Sequence, residues 1–138
     1  MDLDDIREYC LSKPASEETL PFGPDVLVFK VAGKVFLLLP LDTEELQFNV
    51  KCDPEEAEEL RERYPNVQPG YHMNKKHWNT ITVDGSVSSA LLKQWIDQSY
   101  ELVVKSLPVK TKEKLQGKKG RKNKFQLLYS SIFRPSGS

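Results

Sequence analysis

The sequence predicts an α+β fold, α-β(3)-α-β(2)-α, with one antiparallel sheet packed by helices and a basic C-terminal tail. Three observations carry this. Apolar residues repeat at helical spacing in three segments and alternate with a period of two in the segments between them. Pro14, Pro65 and Pro108 each close a helical segment. The alternating runs are joined by short turns or followed directly by a helix, as antiparallel neighbours allow.

The first element is "LDDIREYCLSK", where Ile6, Tyr9 and Cys10 share a helix face and Asp2, Asp4 and Asp5 sit at its dipole-favoured start. "ASEETLPFG" reads as a connection. "DVLVFKVAGKVFLLLPL" reads as a hairpin turning at Ala32-Gly33, pairing Val31 with Lys34, Phe29 with Phe36 and Leu27 with Leu38. Ala32 suits a type I′ turn poorly, so a bulged loop is expected. The other hairpin face, Val26, Val28, Lys30, Val35 and Leu37, is also mostly apolar, so both faces are expected to be partly covered.

A third strand, "ELQFNVKCD", turns Leu46, Phe48, Val50 and Cys52 one way and Gln47, Asn49 and Lys51 the other. Asp53 then caps a helix opened by Pro54, with Glu56 placed for a capping box. Its apolar stripe is Ala57, Leu60 and Tyr64, and its outer face is acidic with Arg61 and Arg63. In "PGYHMNKKHWNTITVDG" a four-residue loop, Asn74 to His77, is expected to join two strands. That register sets Met73 opposite Trp78, Tyr71 opposite Thr80 and His72 opposite Asn79. A long helix starts near Ser88 or Ser89 and buries Leu92, Trp95, Ile96, Ser99, Leu102 and Val103.

At 138 residues the chain reads as one domain, 1–108, with a basic and flexible extension, 109–138, of which only "FQLLYSSIF" is apolar. Net charge is zero, but ten basic residues and one acid lie from Lys105 onward, against ten basic and nineteen acidic before it. An acidic body repels nucleic acid at long range, so binding one needs a local basic patch or the tail. The longest apolar run, Val35–Leu39, is far below the roughly 20 residues of a membrane span. The acidic start "MDLDDIREYC" fits neither a secretory signal nor a transit peptide, and the expected location is cytoplasmic. Cys10 and Cys52 stand apart, without the spacing of a zinc site or disulfide framework.

The blocks "FGPDVLVFKVAGKVFLLL", "VKCDPEEAEELRERYP", "PGYHMNKKHWNTITVDGSV" and "WIDQSYELV" resemble, in order and spacing, those of the MmcQ/YjbR family over about residues 1–110. The resemblance implies the same element order, a frataxin-like or secretion-chaperone-like fold, and DNA binding through a double-wing motif. The tail after residue 110 has no counterpart in the family pattern.

The residues give that reading a concrete form. Lys75, Lys76, His77 and Asn79 at one hairpin tip can meet phosphates and base edges, and Lys30 and Lys34 on the first hairpin supply the second wing. Tyr71, Trp78 and Trp95 are assigned to packing. The tail Lys110–Lys124 is expected to add attraction. The plainer alternative is a solvated turn, with the strand lysines discouraging edge pairing. His72 and His77 lack paired carboxylates, and Asp2, Asp4, Asp5 and Glu8 suit a helix start, so no metal or cofactor is expected. No Ser/His/Asp order, phosphate loop, GxSxG or HExxH is present, so the chain is not expected to be an enzyme or to take a small-molecule substrate. The alternative function is a protein-interaction module, whose acidic helix 54–64 meets a basic partner or this chain's own tail.

Overall fold

A computed structural model describes residues 1–70 and 73–120, the last five by backbone alone. The elements are α1 (Leu3–Leu11), β1 (Ser16–Thr19), β2 (Val26–Val31), β3 (Lys34–Pro40), β4 (Gln47–Lys51), α2 (Pro54–Arg63), β5 (Val67–Pro69), β6 (Trp78–Thr82), α3 (Ser89–Ser106) and α4 (Val109–Gly120). The strands form one open antiparallel sheet in the order β1-β2-β3-β4-β6-β5.

Local chemistry explains the boundaries. Asp2 and Asp5 form a reciprocal capping box at α1, each side chain accepting from the other's backbone N–H at 2.9 Å. Asp53 caps α2 by accepting from Glu55, and Ser88 caps α3 by accepting from Leu91. The expected bond pattern with Glu56 at α2 is therefore replaced by a tighter Asp53–Glu55 turn. On α3 the apolar stripe is Leu92, Trp95, Ile96, Ser99, Tyr100 and Val103; Tyr100 takes the core place expected of Leu102.

Cross-strand partners share a face, so the register assigns the two sides of the sheet. One row runs Glu18, Phe29, Leu37, Val50, Asn79, Pro69. Arg7 of α1 pairs with Glu18, Ser99 of α3 bonds the carbonyl of Phe36, and Arg61 of α2 bonds Asn79. All three helices therefore pack on this face. The neighbouring row runs Thr19, Val28, Leu38, Asn49, Thr80, Gln68 and belongs to the opposite face. Val28 is buried there without joining the core cluster, which agrees with the two-sided apolar pattern of the first hairpin.

The first hairpin departs from expectation in two linked ways. Its turn is not bulged: Ala32 and Gly33 take φ of 50° and 78°, the two positive values of a type I′ turn. The bulge lies further down, where Lys30 pairs with Val35 but Phe29 pairs with Leu37, leaving Phe36 extra. That inserted residue shifts the register, so Leu37 and Leu39, not Leu38, share the core with Phe29 and Leu27. A left-handed alanine costs roughly 1–2 kcal/mol, whereas asparagine tolerates the region. Ala32→Asn is accordingly expected to stabilise the fold by up to about 1 kcal/mol, read as a higher urea midpoint at unchanged slope.

Two elements lie where none was expected. "SEET" forms the edge strand β1 against β2, and the extension expected to be flexible from residue 109 is helical through Gly120, with Leu115 in the core. The apolar run Phe125–Phe133 lies outside the described residues, as do Tyr71 and His72. No helix among the described residues is long and apolar enough to cross a membrane.

Candidate nucleic-acid interface

Strand direction places both hairpin tips at one end of the sheet. Val31 pairs with Lys34 beside the Ala32-Gly33 turn, and Lys51 pairs with Trp78 at the start of β6. Each successive pair is antiparallel, so the first turn and the 70–77 connection lie at the same end. Three strand spacings separate them, about 14 Å.

Lys34, Lys75 and Lys76 are exposed, and among the described residues none of them belongs to an ion pair. Lys30 is half-buried and stands directly across from Glu17 of β1, so its charge is partly offset. The opposite end of the sheet is acidic: Asp25, Asp42, Glu44, Glu45 and Asp84 are exposed on its connecting loops. Charge is thus segregated along the strands, although Asp53, Glu55 and Glu56 accompany the lysines at the helix side of the tip end. α3 runs toward the tip end, where Ser99 meets Lys51 and Phe36, so α4 and its Lys110, Lys112 and Lys114 begin there.

The second tip has a defined base. Gly70 donates to the Trp78 carbonyl at 2.8 Å, and a Cβ at Gly70 would lie 2.8 Å from that of Trp78, so this position excludes side chains. The Asn74 carbonyl accepts from His77 and Trp78, and its side chain accepts from Lys76, closing a tight turn under the lysines. His77 is half-buried, and its carbonyl accepts from Cys52 at 2.6 Å. The strands end at Pro69 and begin at Trp78, with Pro69 opposite Asn79, so the tip is longer than the expected four-residue loop.

Arg61 is the residue that sequence reading missed. Read as part of the outer face of α2, it reaches the sheet instead. Its Nε donates to Asn79 Oδ1 at 2.6 Å, and its Nη2 donates to the carbonyls of Lys75 and Trp78. A planar guanidinium can bind three oxygens at once, and here it fixes the tip to α2.

Two site assignments are corrected. Asn79 was expected to contact DNA, but it is fully buried on the helix side; its amide also donates to the Ala57 carbonyl and the Cys52 sulfur. Ile81, two residues on and equally buried, carried that signal, since alternate strand residues share a face. Trp78 was expected in the core, but it lies in the opposite row beside Lys51, half-buried and outside the core cluster. Trp95 does pack inside, edge-on to Tyr64 at 5.1 Å. The site that remains is Lys34, Lys75, Lys76 and His77, with Lys30 beside it.

Neither thiol offers a nucleophile. Burial pushes Cys52 up to about 11 and raises Cys10 as well, so both are protonated near neutrality. No cluster of metal-ligating side chains occurs among the described residues.

Fold and tip together define a class: a small α+β protein with its first three helices on one sheet face and cationic turns at one sheet end. The family profile of YjbR matches residues 11–102, and the chain belongs to that family. It is 37% identical to protein YbdF of Escherichia coli O157:H7 over 114 residues, 80% of this chain and 90% of that one. It is 31% identical to YjbR of Escherichia coli K12 over 108 residues, 78% and 92% of the two chains. Among solved structures, Deinococcus radiodurans protein DR2400 superposes with a TM-score of 0.77 at 40% identity, covering 82% of this chain and 86% of its own. A Pseudomonas syringae protein superposes at 0.66 with 26% identity, covering 75% and 99%.

Proposed function

We propose that this protein is a non-enzymatic DNA-binding protein that holds a duplex weakly, through phosphate contacts from its two hairpin tips. The observation that supports this is the placement of Lys34, Lys75 and Lys76 at one sheet end, exposed and outside the ion pairs of the described residues. With Lys30, four phosphate contacts correspond to a salt slope of about −3.6, which is weak binding that falls steeply with salt. α4 begins at the same sheet end, and its lysines would add to the attraction. Their contribution is best tested by charge reversal, because a chain cut at Pro108 also loses Leu115 from the core.

Lys75→Glu/Lys76→Glu is expected to weaken binding of a random duplex at least tenfold at low salt and to flatten the salt slope by about 1.8. Fluorescence anisotropy across a salt series measures both quantities. Unchanged affinity in the double variant removes the hairpin tip from this reading.

An interaction module is the second reading, favoured by a groove between α2 and α3. Two hollows of about 270 and 170 Å³ share Glu56 and Gln98 and carry Asp53, Glu59 and Glu101, an excess of acid over Lys105 (paired with Glu101) and Arg63, beside Leu60 and Trp95. That lining suits a basic partner with apolar side chains. Retention of wild-type chain on a lysine-rich peptide but not on duplex DNA selects this alternative.

A further inference from the structure

We infer that this protein associates head to tail: an exposed apolar patch at the acidic end of the sheet docks against the cationic tip end of a second copy. The contact goes beyond the nucleic-acid reading, although it draws on the same lysines.

The patch is made by loops. Phe22 is 69% exposed, Leu20 50% and Leu41 39%, and all three lie outside the core cluster. Chain direction brings them together. Leu20 leaves β1 and Leu41 leaves β3 at the same sheet end, and the Leu41 N–H donates to the Asp25 carbonyl at 2.7 Å, tying the two loops. Phe22 stands in the turn "PFGP", between Pro21 and Pro24, with Gly23 at a φ of 93°. The fixed φ of each proline limits what this turn loses on docking. Apolar side chains held in water on such a turn mark a surface that another molecule covers.

Charge selects the occupant. Asp25, Asp42, Glu44 and Glu45 are exposed around the patch. The other sheet end carries Lys34, Lys75 and Lys76 and, at the start of α4, Lys110 beside Val109, which is 68% exposed. Each end therefore offers exposed apolar surface with charge of opposite sign, and a second copy supplies what each lacks. The exceptions lie on the helix side: Arg63 closes α2 toward the acidic end, and Asp53, Glu55 and Glu56 open it at the basic one. Patch against patch is disfavoured, because it sets carboxylates against carboxylates. A head-to-tail contact leaves a free acidic end and a free basic end on every assembly, so growth does not stop at a dimer.

Sedimentation velocity of the full chain at low salt is expected to give a mean coefficient that keeps rising with protein concentration. It should fall to the monomer value as salt is added. Phe22→Ser, at an exposed position, should weaken association about tenfold or more. Lys75→Glu/Lys76→Glu shifts the tip end toward acid, and Asp42→Lys/Glu44→Lys shifts the patch end toward base. Each variant alone is expected to stay monomeric, whereas an equal mixture of the two should associate like wild type. A wild-type chain that is monomeric at every concentration, a dimer formed by either charge variant alone, or a mixture that fails to associate overturns the inference.

Discussion

Replacing Asp97 with alanine is expected to lower the unfolding free energy by about 3–5 kcal/mol, among the largest single effects in this protein. Lys13 follows α1 with its side chain wholly buried, and its ammonium pairs with Asp97 of α3. Tyr9 closes the cluster: its hydroxyl donates to Asp97 at 2.6 Å, and the Lys13 nitrogen lies 4.5 Å from its ring centre. Burial holds the Lys13 pKa below that of a solvated lysine while Asp97 pulls it back up, and burial raises Tyr9. Removing Asp97 takes the carboxylate from a buried ammonium, which costs more than the pair gains. The double variant Lys13→Met/Asp97→Ala is therefore expected to recover most of the loss in a urea melt. A double variant as unstable as the single one contradicts this account of the α1–α3 contact.

Ser99→Ala is expected to cost about 2–4 kcal/mol, because one hydroxyl completes two strands. The β-bulge turns the Phe36 carbonyl out of the ladder, and Ser99 Oγ donates to it at 2.5 Å while accepting from the Lys51 N–H at 2.8 Å. Without the hydroxyl, a buried donor and a buried acceptor lose their partner together. The Lys51 amide should then exchange faster with solvent as the denaturation midpoint falls. An unfolding free energy within about 0.5 kcal/mol of wild type, the size of an ordinary surface change, means the strands close over the gap by themselves.

Much of this architecture is legible in the sequence, and the failures have physical causes. The three principal helices and four of the strands announce themselves because each must bury one face, which leaves a period; β5 forms at Val67–Pro69, ahead of the strand expected to end at Met73. β1 escapes notice because "SEET" buries no apolar row; it is an edge strand held by β2 and by the Arg7–Glu18 pair. α4 is hidden by its lysine-rich composition, and its one core residue among the described side chains is Leu115. The first hairpin is misread by one residue because a bulge changes which leucines face inward, and nothing in "KVFLLLP" marks the extra position.

The candidate site is half legible for a related reason. Cations at turns can be read from sequence because turns face water, and Lys34, Lys75 and Lys76 do. Asn79 and Arg61 are not so easily read: each is polar, and each is drawn inward by the other. The sheet end shared by the two tips follows from strand pairing across distant segments, which local pattern does not specify.

The central claim is that duplex DNA meets the tip end of the sheet, and amide chemical-shift mapping tests it most directly. A random duplex titrated at low salt into the full, isotopically labelled chain is predicted to move residues 32–36 and 73–78 most, with the shifts reversing as salt is added. Shifts centred on the acidic end, at 41–45 and 84–86, or saturable binding that leaves both tips unmoved, contradict it.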